Sequence, residues 1–509
     1  MIKTLQQAVF LRLTLFFASG IIIQTQKNLF PFWIYAAAFS LLILLLSRFL
    51  KQTFSFRWLF GAGLFLLCSS SAGILTYTNW MHSEWIEDPE IRSFRVQLID
   101  ESVRKPQTWM CKARTGDKTV LIYLPVDSAS SSLSPSDWLT VKTHFEKIDQ
   151  LNYRKQGIAA RAFVPENNWE KLENQAKQRF NLHFYSLKCR RILLNRLKKI
   201  LPDEKSFAVA AAVSFGYVND LDKDIRQTFA ATGTAHILSI SGLHFAILYG
   251  ALQFIFSFLG NNQRGRSARQ LIILSLLWTF AFFTGMPPAV ARSVIMITLW
   301  GIGNVFFFRA LTINTLGAAA FFMLLDNPFN LFDVGFQLSF SAVLAILLIN
   351  PYLLSIYRSR NPVINYIWEL SCSSTSAQVG TAPLSMYYFH QFPLLYLFSN
   401  IFAIPLSGIL LLLIPLSLII SFLFGNPPEL MFPLQKSMQL FIAGLSALAE
   451  IPNGVISNIQ LSAKDAIILT LEIVFSFLLI IKRRMIYICL LIILVVLQLF
   501  TTFVLFEYH

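Results

Sequence analysis

Charge is scarce in this chain: Asp, Glu, Lys and Arg together make 14% of its 509 residues, against roughly 25% in soluble domains. An ordinary cytosolic enzyme is excluded. Acidic residues are the scarcer sign, 27 Asp and Glu against 42 Lys and Arg, for a formal net charge of +15. Cysteine is sparse as well. Cys68, Cys111, Cys189, Cys372 and Cys489 include no CxxC pair, and three lie in or beside apolar runs, so neither a zinc cluster nor a dense disulfide framework is encoded. Nothing in the spacing supports a bridge between Cys111 and Cys189. None of the 7 histidines forms HxHxDH or HExxH, and no GxxxxGKS or GxxxxGKT occurs. A hydrolytic metal site, an ATPase engine and a bound cofactor are therefore not expected. What is abundant is apolar: 55% hydrophobic residues, 48 of them Phe, the composition of a polytopic membrane protein.

Apolar runs at 8–23, 31–47 and 58–77 are each about long enough, at 1.5 Å per residue, to cross a roughly 30 Å hydrocarbon core. No Ala-x-Ala cleavage site follows the first, which reads as a span rather than a signal. Arg48, Lys51 and Arg57 place the second loop, and with it the N-terminus, in the cytoplasm, so the chain after Tyr77 emerges outside. There, period-two alternation marks five short runs, 94–99, 108–113, 118–126, 138–148 and 158–164. They imply a small barrel or sandwich, and an OB-fold suits their number and length. Such a domain either binds nucleic acid or caps the structure.

From Trp169 to Leu201 the pattern is helical, and Lys171, Lys177, Arg179, Lys188, Arg190, Arg191, Arg196, Lys198 and Lys199 face only Glu170 and Glu173. This is an interfacial helix on anionic headgroups or a guide for a polyanion. The remainder is a second membrane region. Its basic loops, Arg264 with Arg266 and Arg269, Arg309, Arg358 with Arg360, and Lys482 with Arg483 and Arg484, all fit the cytoplasmic side. They do so if spans run near 228–258, 271–285, 288–308, 312–325, 334–356, 365–385, 405–424, 465–481 and 485–507, with one more at 388–404 or 431–451. About thirteen crossings result, and the chain ends outside. Gly285, Pro287, Pro288, Pro328, Pro383, Pro393 and Pro405 interrupt this region, which lipid tolerates only where protein or water satisfies the freed backbone.

The expected fold is thus a polytopic α-helical membrane protein with broken or re-entrant helices and a small extracytoplasmic five-stranded OB-like β domain. It divides into 1–79 (three spans), 80–167 (β domain), 168–202 (basic amphipathic interfacial helix) and 203–509 (the second transmembrane domain).

Polar residues inside the apolar runs are the candidates for chemistry. In TGTAHILSISGLH (232–244), His236, Ser239 and His244 recur at i, i+3 and i+8, with Ser241 between them. On a helix these form a hydrated polar face, and a metal site lacks further ligands nearby. In TGMPPAVAR (284–292), Arg292 is either a snorkelling anchor or a pore-lining cation. In DNPFNLFDVGFQLSFS (326–341), Asp333 reads as an N-cap, while Gln337 and Ser341 lie on its face deeper in the span and need partners. Gln378 and Asn400, on proline-interrupted helices, complete a set that lines one path or ties helices together.

The ordered set of GTAHILSISGLH (233–244), the preceding AAVSFGY and LDKDIRQTF, TGMPPAVAR, DNPF with GFQLSF, APL, FHQFP and NIFAIP resembles the ComEC-type competence channels, which admit transforming DNA across the bacterial cytoplasmic membrane. NYRKQGIA (152–159) looks like the end of that family's N-terminal OB-like domain. The resemblance implies a channel for single-stranded DNA; with no HxHxDH and no GxxxxGKS or GxxxxGKT in this chain, enzyme activity is not expected of it. His236, Ser239, Ser241, His244, Arg292, Asp333, Gln337, Ser341, Gln378 and Asn400 would line it, and Lys188, Arg190, Arg191, Arg196, Lys198 and Lys199 would guide DNA to it. The implied partners are single-stranded DNA, membrane lipid, an extracytoplasmic DNA receptor and a cytoplasmic ATP-driven motor or strand-binding protein. Many members carry a C-terminal metallo-β-lactamase-like domain. This chain stops at His509, so strand removal falls to a separate nuclease. Self-association is left open. The alternative function is transport of another anionic polymer or a lipid-linked saccharide. A third, weaker reading makes His236 and His244 the acid/base groups of an intramembrane enzyme.

Overall fold

The computed structural model describes residues 8–49, 57–82, 90–127, 130, 133–148, 153, 157–172, 182–260, 262–286, 288–305 and 312–495. The readings that involve Lys51, Glu173, Lys177, Arg179, Pro287, Arg309, most of 152–156, 496–507 and His509 lie outside the described residues. Two compact units emerge, one running through Leu197 and including Tyr249–Asp333, the other made of Lys198–Leu248 and the chain from Val334 on. Among the described residues, six helices are long and apolar enough to cross a bilayer, Val9–Gln26, Phe30–Arg48, Trp58–Met81, Gly242–Leu259, Val334–Ile356 and Tyr396–Phe424. The protein is a multi-pass membrane protein.

In the first unit, α1 (Val9–Gln26), α2 (Phe30–Phe49) and α3 (Arg57–His82) pack through small residues and buried amides. A Cβ on Gly20 would stand 2.0 Å from the Ser69 carbonyl oxygen. Gln24 accepts from the Trp33 indole at 2.8 Å, and such interhelical pairs replace the hydrophobic drive that lipid removes.

An eight-stranded sheet follows: β1 (Arg92–Leu98), β2 (Val103–Arg104), β3 (Thr108–Thr115), β4 (Lys118–Pro125), β5 (Trp138–Thr143), β6 (Glu146–Lys147), β7 (Ile158–Phe163) and β8 (Trp169–Lys171). The order is β6-β7-β4-β3-β1-β5-β8, with β2 on β3. Every pairing is antiparallel except β4 with β7. The expected run at 138–148 divides into β5 and β6 because Phe145 turns inward, 1% exposed, and meets Phe94 edge-on at 4.9 Å. Alternate residues Val96, Leu98, Cys111, Ala113, Val120, Ile122, Leu124, Leu139 and Val141 fill the core. The helical pattern read from Trp169 is corrected at its start: Trp169 pairs with Val141 and packs on the core, and the helix α4 covers Leu182–Ile200.

The boundaries between the units fall within α4, within α7 (Gly242–Ile255) and between Asp333 and Val334. The first unit continues with α8 (Gln263–Phe283), α9 (Pro288–Val305) and α10 (Thr312–Asp326). Asn262 caps α8 by accepting from Gly265 N–H at 2.8 Å, so Arg264, Arg266 and Arg269 lie in its opening turns rather than in a loop.

The second unit holds α5 (Glu204–Phe215), α6 (Lys223–Ala231), α11 (Val334–Ile356), α12 (Pro362–Phe389), α13 (Tyr396–Phe424), α14 (Pro428–Ala449) and α15 (Ala463–Lys482). A pair β9 (Phe392–Pro393) and β10 (Val455–Ile456) joins two of its loops, and a further helix, α16, covers Met485–Val495. Two expectations are corrected. The single span at 228–258 is broken, because Gly233, at φ +72°, ends α6: Thr234 N–H reaches back to Phe229 O at 2.9 Å and Gly233 N–H to Ala230 O at 3.1 Å, a left-handed helix stop. By contrast, Pro405 breaks nothing. α13 runs continuously through Pro405 and Pro415, as apolar surroundings allow when neighbours absorb the lost bond.

Candidate functional site

The segment 232–244 is built as a turn between two helices. His236 sits in a 3-10 turn, Ala235–Ile237, with Nδ1 3.2 Å from Gly233 O, and Ser239 Oγ donates to His236 O at 3.3 Å. Both side chains are exposed, and His236 shares no continuous helical face with His244. Ser241 stands before α7 and His244 in its first turn. Ser241 N–H donates to His244 Nδ1 at 3.2 Å, and Ser241 Oγ lies 2.9 Å from the same nitrogen. The imidazole thus reaches back to the backbone N–H before the helix, as a carboxylate does in one half of a capping box. Nδ1 is therefore the acceptor, and the buried His244 is occupied in starting a helix.

In the first unit, Arg190 is removed from the DNA-guiding set. Its Nη2 donates to Glu101 Oε2 at 3.1 Å and its Nη1 to Thr284 O at 3.2 Å, with only 12% and 17% of the two charged side chains exposed. Gly285, at φ +80°, leaves the room: a Cβ there would stand 3.0 Å from Arg190 Nη1. Arg190 thus ties the β-sheet domain to the turn that opens α9. Desolvation pushes the Glu101 carboxyl above its ordinary value, against the opposing pull of Arg190.

Lys188, Arg191, Lys198 and Lys199 are exposed along α4, and Arg196 is half-buried. Arg191 donates to Ser134 Oγ at 3.0 Å. Leu187, Leu194, Leu197 and Ile200 are buried, which turns the helix's apolar face into the protein.

Arg292 does not snorkel. Its side chain is 6% exposed, and its Nη1 lies 3.7 Å from Asp333 Oδ1. Asp333 stands immediately before α11, the position expected of an N-cap. Gln337 finds its partner in Tyr388, whose hydroxyl donates to Oε1 at 2.9 Å. Ser341 lies where α11 and α12 pack closely, since a Cβ on Gly380 would stand 2.8 Å from Ser341 O and 2.3 Å from Ala345 Cβ. Gln378 is half-buried on α12, and Asn400 is buried on α13. The ten lining candidates accordingly divide, Arg292 and Asp333 in the first unit and the other eight in the second.

Sequence reasoning missed a half-buried network in the first unit: Tyr249 donates to Gln270 Oε1 at 2.8 Å and accepts from Gln253 Nε2 at 2.5 Å. Two glutamines inside apolar runs were its only signal. It also missed a surface of the sheet domain where Tyr123 and Phe163, register partners on β4 and β7, stack at 4.7 Å and 16°. Arg161 lies 5.8 Å from the centre of the Phe163 ring.

Among known proteins, this chain is 26% identical to "ComE operon protein 3" of Bacillus subtilis (strain 168) over 323 residues, 62% of this chain and 39% of that one. It is 27% identical over 324 residues to an uncharacterized protein of Aquifex aeolicus (strain VF5), covering 62% and 69% of the two chains. With the protein YcaI of Escherichia coli (strain K12) it shares 26% over 259 residues, 48% and 33% of the chains. The chain therefore spans about 39% of the Bacillus protein's length. No solved structure matches. The family described as Competence protein matches residues 213–485, from the end of α5 through α15, and the chain belongs to that family.

Proposed function

We propose that this protein conducts one strand of transforming DNA across the bacterial cytoplasmic membrane during natural competence. The family match over 213–485 carries the reading, because it takes in every one of the ten lining candidates. The N-terminus lies in the cytoplasm, and the β-sheet domain and C-terminus lie outside.

The sheet domain is an OB-type barrel. Its five longer strands, β1, β3, β4, β5 and β7, pair in the order of that fold, with β4 and β7 parallel and β6 continuing β5 onto β7. The stacked Tyr123 and Phe163 with Arg161 offer the rings and cation on which single-stranded bases lie. Lys188, Arg191, Lys198 and Lys199 guide phosphates from there. Drawing each phosphate inward against a negative interior costs roughly 2.3 kcal/mol per charge per 100 mV. Fixed residues cannot supply that work, so an ATP-driven motor or strand-binding protein on the cytoplasmic side gives direction. An outer receptor delivers the DNA, and a nuclease removes the second strand. This chain itself is not an enzyme.

The exposed Tyr185 and Ile192 flank the cations of α4 and favour one other reading, in which the helix rests on lipid and the cargo is another anionic polymer or a lipid-linked saccharide. The two separate on salt dependence. In purified full-length protein, replacing Lys188, Arg191, Lys198 and Lys199 by Gln lowers the slope of log affinity for single-stranded DNA against log salt by roughly 3, at about 0.7 per phosphate contact. An unchanged slope, with weakened binding to anionic vesicles, supports the second reading.

A further inference from the structure

We infer that Lys142, Arg95 and Arg114 form a diagonal phosphate track on the outer side of the sheet domain, which leads single-stranded nucleic acid to the exposed ring of Phe163; this rests on the strand-passage reading above. Strand register sets the line. On β1, Val96 and Leu98 enter the core, so Arg95 and Gln97 point away from it. Lys142 of β5 pairs with Ser93, and Arg114 of β3 pairs with Gln97. Each cation therefore stands one strand over and two residues along from the last. At about 4.8 Å between strands and 3.3 Å per residue, that step is about 8 Å.

All three cations are exposed, and none joins an ion pair among the described residues. Acids stand at the margins: Asp117 in the turn after β3, Glu166 in the turn after β7, and Glu170 opposite Thr140 on β8. One end of the line meets the ring stack. At the end of β5 the chain alternates, with Lys142 and His144 exposed and Val141, Thr143 and Phe145 turned inward. Thr143 Oγ1 donates to Phe163 O at 3.2 Å, so Lys142 lies beside the strand that presents Phe163, whose side chain is 54% exposed.

This arrangement selects its ligand. Separate cations in a row fit the repeated charges of a polymer, where one lipid headgroup would use only one of them. A ring at the end of the row takes a base only when that base is unpaired. Neither contact reads sequence, so the track holds any strand.

Full-length protein in phospholipid-free detergent is titrated with a short single-stranded oligonucleotide lacking terminal phosphates, with its abasic counterpart, with a blunt duplex and with phosphatidylglycerol. Replacing Lys142, Arg95 and Arg114 together by Gln should lower the slope of log affinity against log salt by about 2 for both single strands, at about 0.7 per phosphate contact, and each single replacement by about 0.7. Phe163→Ala should weaken binding of the oligonucleotide roughly 5- to 150-fold at an unchanged slope, and leave the abasic strand alone.

Oligonucleotide binding whose slope survives all of these replacements overturns the track and leaves strand passage standing. A loss confined to phosphatidylglycerol or to the duplex overturns the single strand as its ligand. Equal weakening of the abasic strand by Phe163→Ala removes the ring from the track's end. If the unaltered chain binds no oligonucleotide, the strand-passage reading falls with the track.

Discussion

Gly380→Leu should leave a chain that neither withstands purification nor admits DNA. Even the first carbon of a side chain there would meet Ala345 Cβ at 2.3 Å and Ser341 O at 2.8 Å, and the second of these is backbone that cannot rotate away. Inside lipid, helices hold together by close packing and hydrogen bonds, with no hydrophobic gain to offset a wider spacing. Separating α11 from α12 also pulls apart Tyr388 and Gln337, now 2.9 Å apart. Overpacking by a single added group costs about 1–3 kcal/mol, and a leucine more. Gly250 supplies the control: nothing lies within 4 Å of its would-be Cβ, and Gly250→Ala on α7 should stabilise slightly, by up to about 1 kcal/mol. Thermal unfolding in detergent reads both. A Gly380→Leu protein with the unaltered midpoint contradicts the α11–α12 interface.

Arg190→Ala has the second large effect, and it depends on pH. Removing the guanidinium leaves the Glu101 carboxylate, 17% exposed, without its counter-ion, which costs roughly 3–5 kcal/mol, and deprives Thr284 O of a donor. Burial already raises the Glu101 carboxyl above 4.5. A carboxyl raised in the folded state contributes stability that is fully present below its unfolded value and lost as pH rises through the folded one. Without Arg190 to pull it down, the rise is larger and that loss is greater. The deficit of Arg190→Ala should therefore be greatest near neutral pH and shrink as acidification protonates the Glu101 carboxyl, whose value burial raises. Adding Glu101→Gln should recover much of the neutral-pH loss. Equal deficits at pH 4.5 and pH 7, measured by unfolding of the full chain, would show that the pair does not carry the attachment.

Much of this was legible in the chain. Period-two runs located the five longer strands to within a few residues, since each needed one face in a core and one in water. Apolar length located the long helices, and Gln337 declared by its chemistry that a partner existed. The failures share a cause. Within an apolar run, a helix that continues and one that stops look alike, and the spacing of His236 and His244 suited a helix that Gly233 had already ended. Pro405 misled in the opposite sense, because its local penalty is met by tertiary surroundings. Trp169 reads equally as a helix start and as a strand end until Val141 is seen beside it. For Arg190, one cation among nine, its separation as a tether came from Glu101, 89 residues away, which no local pattern reveals.

The central claim is that a DNA strand enters the cytoplasm through this protein, and the fate of labelled transforming DNA in cells lacking it tests that most directly. DNA held at the surface or protected outside the inner membrane is scored separately from DNA that has reached the cytoplasm. Intact outer capture with cytoplasmic entry abolished, and restored by the unaltered chain, is the expected result. Normal cytoplasmic entry in the deletion strain would contradict the account.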